Sequence, residues 1–228
     1  MDAPPIGPWA PAPSTRRATV GVLDLWRADL AAASDGLEDL LCADERERAR
    51  RMRGAREQRL WIRSRGVLRA LLGRYLDRDP RTLRFALGPH GKPALCDEGA
   101  WPAADLRFNL SHSGPLALYA VTAVHAVGID VEVARREIDE LAIAARVLGR
   151  EQAQRLSSLD PEARTRAFLR AWVANEAAVK CRGTGLAEPG ENPAGELWTA
   201  QLDLGPRAAA AVAGEGQRCE PHCWEWRG

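Results

Sequence analysis

The chain has 228 residues, 46% of them hydrophobic and 28% charged, at a formal net charge of +1. That is enough for one large domain or two small ones with a proper core. No apolar run reaches membrane-spanning length, and the N-terminus lacks the charged region and apolar core of a signal peptide. Five scattered cysteines (Cys42, Cys96, Cys181, Cys219, Cys223) read as reduced thiols. A cytoplasmic protein with no membrane partner is expected. Cys219, His222 and Cys223 lie close together, but the second half of a four-ligand zinc site is missing.

Residues 1–15 are rich in Pro and Ala without periodicity and are expected to form a disordered leader. Val20 to Leu30 alternates as a strand, and Asp35-Gly36-Leu37-Glu38 resembles a capped helix start. From Asp44 to Leu76 the pattern is helical, with Leu60, Val67, Leu68, Leu71, Leu72, Tyr75 and Leu76 as the buried stripe. This stretch is strongly basic, from Arg46 and Arg48 through Arg65 and Arg69 to Arg74. A neutral protein with its positive charge gathered in one third has an anionic partner in prospect. No zinc-finger ligands or stacking-aromatic motif accompany that charge, so nucleic acid is not expected. A phosphorylated small molecule or an acidic protein fits better.

Leu83 to Leu87 reads as a short strand, followed by a turn at Gly88-Pro89-His90-Gly91-Lys92-Pro93. Leu106–Leu110, Leu116–Val124 and Val127–Val133 read as strands, then Asp139–Leu148 and Arg150–Leu159 as helices. A long helix runs from the Asp160 cap and Pro161 to Gly183. Leu197–Leu204, Ala208–Ala213 and Cys219–Trp226 complete the chain as strands. The plan is α+β, with an N-terminal half at 16–125 and a C-terminal half at 126–228.

Three stretches carry chemistry. On the long helix, Leu169, Trp172, Val173, Glu176 and Lys180 share one face. Glu176 and Lys180 read either as a surface ion pair or as a carboxylate and ammonium facing a site. In Gly128-Ile129-Asp130-Val131-Glu132 the two acids fall on one face of a strand, as a solvated edge or as a pair needing a cation. With Glu176 they would make three oxygen donors without His or Cys, a set for Mg2+ or Mn2+. In Phe108-Asn109-Leu110-Ser111-His112-Ser113-Gly114, adjacent Ser111 and His112 face opposite ways, so they cannot be a nucleophile–base pair, and no G-x-S-x-G elbow is present. They read as phosphate or nucleotide ligands, with a structural turn histidine as the alternative. Of 32 basic residues only Lys92 and Lys180 are lysine; a compact ammonium at those two places suits a single phosphate oxygen better than a planar guanidinium.

These motifs, with Gly91-Lys92-Pro93 and Asp44-Glu45-Arg46-Glu47-Arg48, resemble the 4′-phosphopantetheinyl transferases of the surfactin-synthetase-activating type over roughly residues 18–204. The resemblance implies two similar α+β halves related by a pseudo-twofold axis, each a small antiparallel sheet packed with helices. Coenzyme A and Mg2+ would lie between them. It implies that Asp130, Glu132 and Glu176 hold the metal, and that Arg48, Lys92, Ser111, His112 and Lys180 contact the coenzyme A phosphates. Glu176 and Lys180 would be catalytic, with the nucleophile a serine of an acyl or peptidyl carrier protein. The family's internal symmetry makes a monomer the expected state. One residue departs from the pattern: Asn175 stands where the family usually has lysine before the catalytic glutamate. A non-catalytic coenzyme A or carrier-binding module, and a Mg2+-dependent phosphohydrolase, are the alternatives.

Overall fold

The computed structural model describes residues 4–13, 17–96, 106–123, 125–134, 139–184 and 197–228. The first half opens with β1 (Ala10–Pro11) and β2 (Val22–Asp29), then a 3-10 turn at Leu37–Leu40. Helices α1 (Ala43–Arg50) and α2 (Ala55–Leu76) follow, then the hairpin β3 (Phe85–Leu87) and β4 (Pro93–Leu95), then β5 (Leu106–Ser113) and β6 (Leu116–Ala123). The second half holds β7 (Val127–Val133), α3 (Glu140–Val147), α4 (Arg150–Ser157) and α5 (Pro161–Arg182). Strands β8 (Leu197–Gln201), β9 (Ala208–Glu215) and β10 (Glu220–Glu225) complete it. No helix among the described residues is long and apolar enough to cross a membrane.

The helical stretch expected from Asp44 to Leu76 is two helices. Gly54, at φ 92°, turns the chain between α1 and α2 in a region that L side chains rarely adopt. Helix α2 buries Leu60, Val67, Leu68, Leu71, Leu72 and Tyr75 against Trp26, Phe108 and Tyr119 of the first sheet. Two arginines of the basic stretch leave the surface: Arg69 is fully buried and Arg65 nearly so. Arg69 can be buried because its Nε donates to Glu45 Oε2 at 2.6 Å and one terminal nitrogen donates to the Pro80 and Leu83 carbonyls.

The first sheet has the order β1-β10-β2-β6-β5. Its β2–β6 and β5–β6 pairs are antiparallel, but β10 lies parallel to both β1 and β2. The sheet is therefore mixed rather than purely antiparallel, because the last strand returns from the second half to fill the edge beside β2. Asp24 pins this junction from inside, accepting from Tyr75 Oη at 2.7 Å and Trp224 Nε1 at 2.9 Å. Cys219 and Cys223 are buried between the sheets, whereas His222 lies with its Nδ1 3.7 Å from Asp24 Oδ1, so the three do not converge.

The leader expected to be disordered is ordered where it is described. Ile6 is buried in the cluster between the sheets and bridges Leu202, and Trp9 Nε1 donates to the Asp203 carbonyl at 2.7 Å. Its prolines remove donors that an outermost strand does not need, and two well-placed apolar side chains anchor it without any periodic pattern.

The second sheet, β7-β9-β8, is antiparallel throughout and packs against α5. Leu23, Leu25, Leu118 and Ala120 of the first sheet share one core with Val127, Ile129, Val131 and Val212 of the second. Gly128 sets the distance between β7 and α5: a Cβ there would sit 2.0 Å from the Ala177 carbonyl oxygen and 2.3 Å from the Cys181 nitrogen. Both are backbone atoms and cannot rotate away. Gly128→Ala is expected to push α5 off the sheet, costing at least about 3 kcal/mol in urea unfolding; wild-type stability would refute this close packing.

Candidate active site

Helix α5 is fixed at both ends. The Asp160 side chain caps it by accepting from the Ala163 amide at 2.9 Å, and Gly183, at φ 71°, terminates it. Val173, Ala177 and Cys181 are buried against β9 and the Gly128 stretch of β7. Glu176 and Lys180, which flank that stripe, line a cavity of about 330 Å³ between the two halves. They are not a surface pair: the cavity brings together Arg48, Trp61, Arg65, Lys92, His112, Glu176 and Lys180.

Strands β5 and β7 meet at this cavity without forming a ladder, and side chains make the join. Asn109 Oδ1 accepts from the Ile129 amide at 2.8 Å, Ser111 Oγ donates to Asp130 Oδ1 at 2.8 Å, and Ser113 Oγ donates to Glu132 Oε2 at 2.8 Å while accepting from the Val133 amide at 3.1 Å. Residues at every second position of β5 point to β7, which leaves His112 facing the opposite way, into the cavity. The expected opposition of Ser111 and His112 holds.

Asp130 is 5% exposed. Its Oδ1 receives Lys180 Nζ at 2.6 Å as well as the Ser111 hydroxyl, and Lys180 Nζ also donates to Ser111 Oγ at 3.0 Å. Its Oδ2 is buried with no hydrogen-bond partner among the described residues. Glu176 is half-buried, and burial pushes its pKa above the usual carboxylate range; Asp130 and Glu132 add to the rise and Lys180 opposes it. The three acids thus feel one another. They do not close into a cage, since no three His, Cys, Asp or Glu side chains among the described residues are gathered tightly enough to hold a metal ion.

Arg48, Lys92, His112 and Lys180, expected to act on one ligand, all line this cavity, with Trp61 and Arg65 beside them. Arg48 is exposed, its guanidinium carbon 5.6 Å from the Trp61 ring centroid, and Arg65 lies 5.7 Å from the same centroid. Arg65 is held below the usual guanidinium pKa first by burial, against the pull of Glu45. Lys92 reaches the cavity wall, but its Nζ donates to the Val127 and Cys181 carbonyls at 3.0 Å each. It therefore ties the β3–β4 hairpin to the start of β7 and the last turn of α5. Burial lowers its pKa, with Cys181 and Glu215 opposing. His112 has an exposed edge yet a crowded ring; desolvation lowers its pKa, the Gly114 backbone contact opposes and Lys180 adds to the fall. Its surroundings therefore favour the neutral ring.

Trp61, Arg65 and Asn109 went unassigned in the sequence. An asparagine inside an apolar strand signals a buried amide with a fixed partner. Trp61 and Arg65 stand four apart on a helix beside Arg48, a spacing that permits stacking but does not announce a cavity.

Comparison with known proteins agrees with this geometry. The model of the 4′-phosphopantetheinyl transferase superfamily matches residues 126–227, and that of the N-terminal part of a 4′-phosphopantetheinyl transferase matches residues 26–124. The chain belongs to the 4′-phosphopantetheinyl transferase superfamily, and its reaction class is the transfer of a phosphopantetheine group. It is 34% identical to the 4′-phosphopantetheinyl transferase HetI of Nostoc sp., over 96% of this chain and 98% of that one. It is 24% identical to the 4′-phosphopantetheinyl transferase ffp of Bacillus subtilis, over 68% and 66% of the two chains. It is 27% identical to the human L-aminoadipate-semialdehyde dehydrogenase-phosphopantetheinyl transferase, over 72% of this chain and 52% of that protein.

The clamp formed by Lys92 predicts a stability effect independent of any ligand. Lys92→Met removes two charge-assisted bonds and is expected to lower unfolding free energy by about 1–2 kcal/mol in ligand-free buffer. Unchanged unfolding would mean that the ammonium is not a structural tie.

Proposed function

We propose that this protein transfers the 4′-phosphopantetheine arm of coenzyme A to a serine of an acyl or peptidyl carrier protein, with Mg2+ or Mn2+, releasing 3′,5′-ADP. The observation that supports this best is the gathering of opposite charges at one cavity. Glu176 and Lys180 line it with Arg48, Arg65 and Trp61, and behind Lys180 lies Asp130, whose buried Oδ2 has no hydrogen-bond partner among the described residues. Hard oxygen donors short of positive charge fit Mg2+, which takes one or two carboxylates and fills its remaining positions with water and substrate phosphate. A preformed three-carboxylate cage is not required. Asp130 and Glu176, with Glu132, would hold the ion. When bound it would supply Lewis-acid neutralisation of the pyrophosphate.

The chain's own residues do the rest. The serine oxygen of the carrier attacks the β-phosphorus of coenzyme A, and the bond from that phosphorus to the bridging oxygen breaks. That oxygen leaves with 3′,5′-ADP. Glu176 takes the serine proton, directly or through water. Lys180 Nζ, on the same helix face, stabilises charge growing on the phosphate oxygens. His112, which lines the same cavity, donates a hydrogen bond to a phosphate oxygen. The Arg48–Trp61–Arg65 wall takes the nucleotide end of coenzyme A.

Intact mass of an apo carrier after incubation with coenzyme A and Mg2+ tests this. A gain of about 340 Da, abolished by EDTA, is expected, and Glu176→Gln should slow it at least about 10²-fold. Release of 3′,5′-ADP without a carrier would instead favour hydrolysis, and coenzyme A binding without turnover would favour a binding module. The exposed arginines of the basic stretch give a second test. Arg53 and Arg56 are exposed, and their joint reversal to Glu is expected to raise KM for an acidic carrier about 3–10-fold with little change in kcat. An unchanged KM would remove this face from carrier docking.

A further inference from the structure

Asp130 is a divided carboxylate. Oδ1 is occupied by the Lys180 ammonium at 2.6 Å and the Ser111 hydroxyl at 2.8 Å, while Oδ2 is buried and has no hydrogen-bond partner among the described residues. Asp130 cannot swing away, since its side chain is 7% exposed and Ser111 fixes it to β5. Lys180 can, because its side chain is 30% exposed and lines the cavity. A metal ion drawn to Oδ2 and Glu176 would share the carboxylate with this ammonium. Two cations on one nearly buried carboxylate repel strongly, because low local polarity leaves the repulsion unscreened. A phosphate group entering the cavity offers the ammonium another anion and relieves the conflict.

We propose that Lys180 is a built-in competitor of the metal at Asp130, and that it couples metal binding to coenzyme A binding. The pyrophosphate draws the ammonium off Asp130 Oδ1, so the metal binds weakly before coenzyme A and tightly with it. Linkage makes the effect mutual: the metal frees Lys180 for the phosphate and tightens coenzyme A by the same factor. The serine hydroxyl that donates to Asp130 and accepts from Lys180 holds the ammonium at its resting place. Lys180 thereby enforces an order, guarding the carboxylates from metal until the substrate is present. This rests on the metal reading of the site given above.

The test is Mn2+ binding, followed by electron paramagnetic resonance of the free ion, with and without coenzyme A and with no carrier. For the wild type, coenzyme A is expected to tighten Mn2+ at least about tenfold. Lys180→Met should bind Mn2+ alone about five- to tenfold more tightly than the wild type, and the further tightening that coenzyme A adds should shrink by about the same factor, leaving only what its own phosphate ligation supplies. Lys180→Gln keeps a polar head that can bond to Ser111 and Asp130 but lacks the charge. It should show the same tightening, and it carries the test if the Met variant folds poorly. Asp130→Asn should lose Mn2+ in both states. Equal or weaker Mn2+ affinity in both lysine variants would overturn the proposal while leaving the metal reading intact. Absence of Mn2+ binding to the wild type even with coenzyme A would overturn both.

Discussion

The join between β5 and β7 is the constraint on which the rest of the structure depends. Each is the edge of its own sheet, and an edge strand needs its polar backbone covered. Here the cover is a row of short polar side chains. Asn109, Ser111 and Ser113 project from one face of β5 onto the Ile129 and Val133 amides and the Asp130 and Glu132 carboxylates. A regular ladder would have continued one sheet into the next. The side-chain join spaces the strands wider and lets hydroxyls, rather than backbone amides, meet the two carboxylates. The consequence is chemical: the join itself orients the acids with neutral hydroxyls, and the only charged contact on Asp130 among the described residues comes from Lys180 across the cavity wall.

Helix α5 then closes the site from the other side. Gly128 lets its backbone descend onto β7, and Cys181 and Ala177 fill the seam. This closeness places Glu176 and Lys180 opposite Asp130, and it explains why a glycine precedes the apolar and acidic alternation of that strand. The β3–β4 hairpin is fastened to the same seam by Lys92, which satisfies a carbonyl in the last turn of α5. Two half-proteins thus share a core, a seam and a returning strand. The fold sets its site at a place where both contribute.

Elements whose patterns are set locally were legible in the sequence. Strand β7 and helix α5 lie where alternation and capping put them, because the apolar period and the Asp-Pro and Gly punctuation act within a few residues. Glu176 and Lys180 were legible as a charged continuation of an apolar face. What escaped depends on distant partners. Arg69 is indistinguishable from its solvated neighbours until Glu45 and two carbonyls are known to surround it. The leader has no period, and its order comes from Leu202 and Asp203, nearly two hundred residues away. The parallel placing of β10 rests on Asp24 and on a gap beside β2, neither of which marks the last strand itself.

The two lysines show how a compositional oddity acquires a physical cause. In a chain whose surface uses arginine almost throughout, Lys92 and Lys180 both place a point charge where two acceptors converge. The acceptors are two carbonyls for one and a hydroxyl with a carboxylate oxygen for the other. A tetrahedral ammonium can donate to both from one atom; a planar guanidinium would need its acceptors spread in its own plane and more room behind them. The sequence suggests that these ammoniums meet phosphate, and in the structure each is also held by the protein itself. The difference between the two lies in what holds them. Lys92 grips neutral carbonyls at a structural seam, whereas Lys180 leans on a carboxylate at a cavity, where another anion can outbid Asp130. The same residue type thereby serves as a fixed tie in one place and a movable counter-ion in the other.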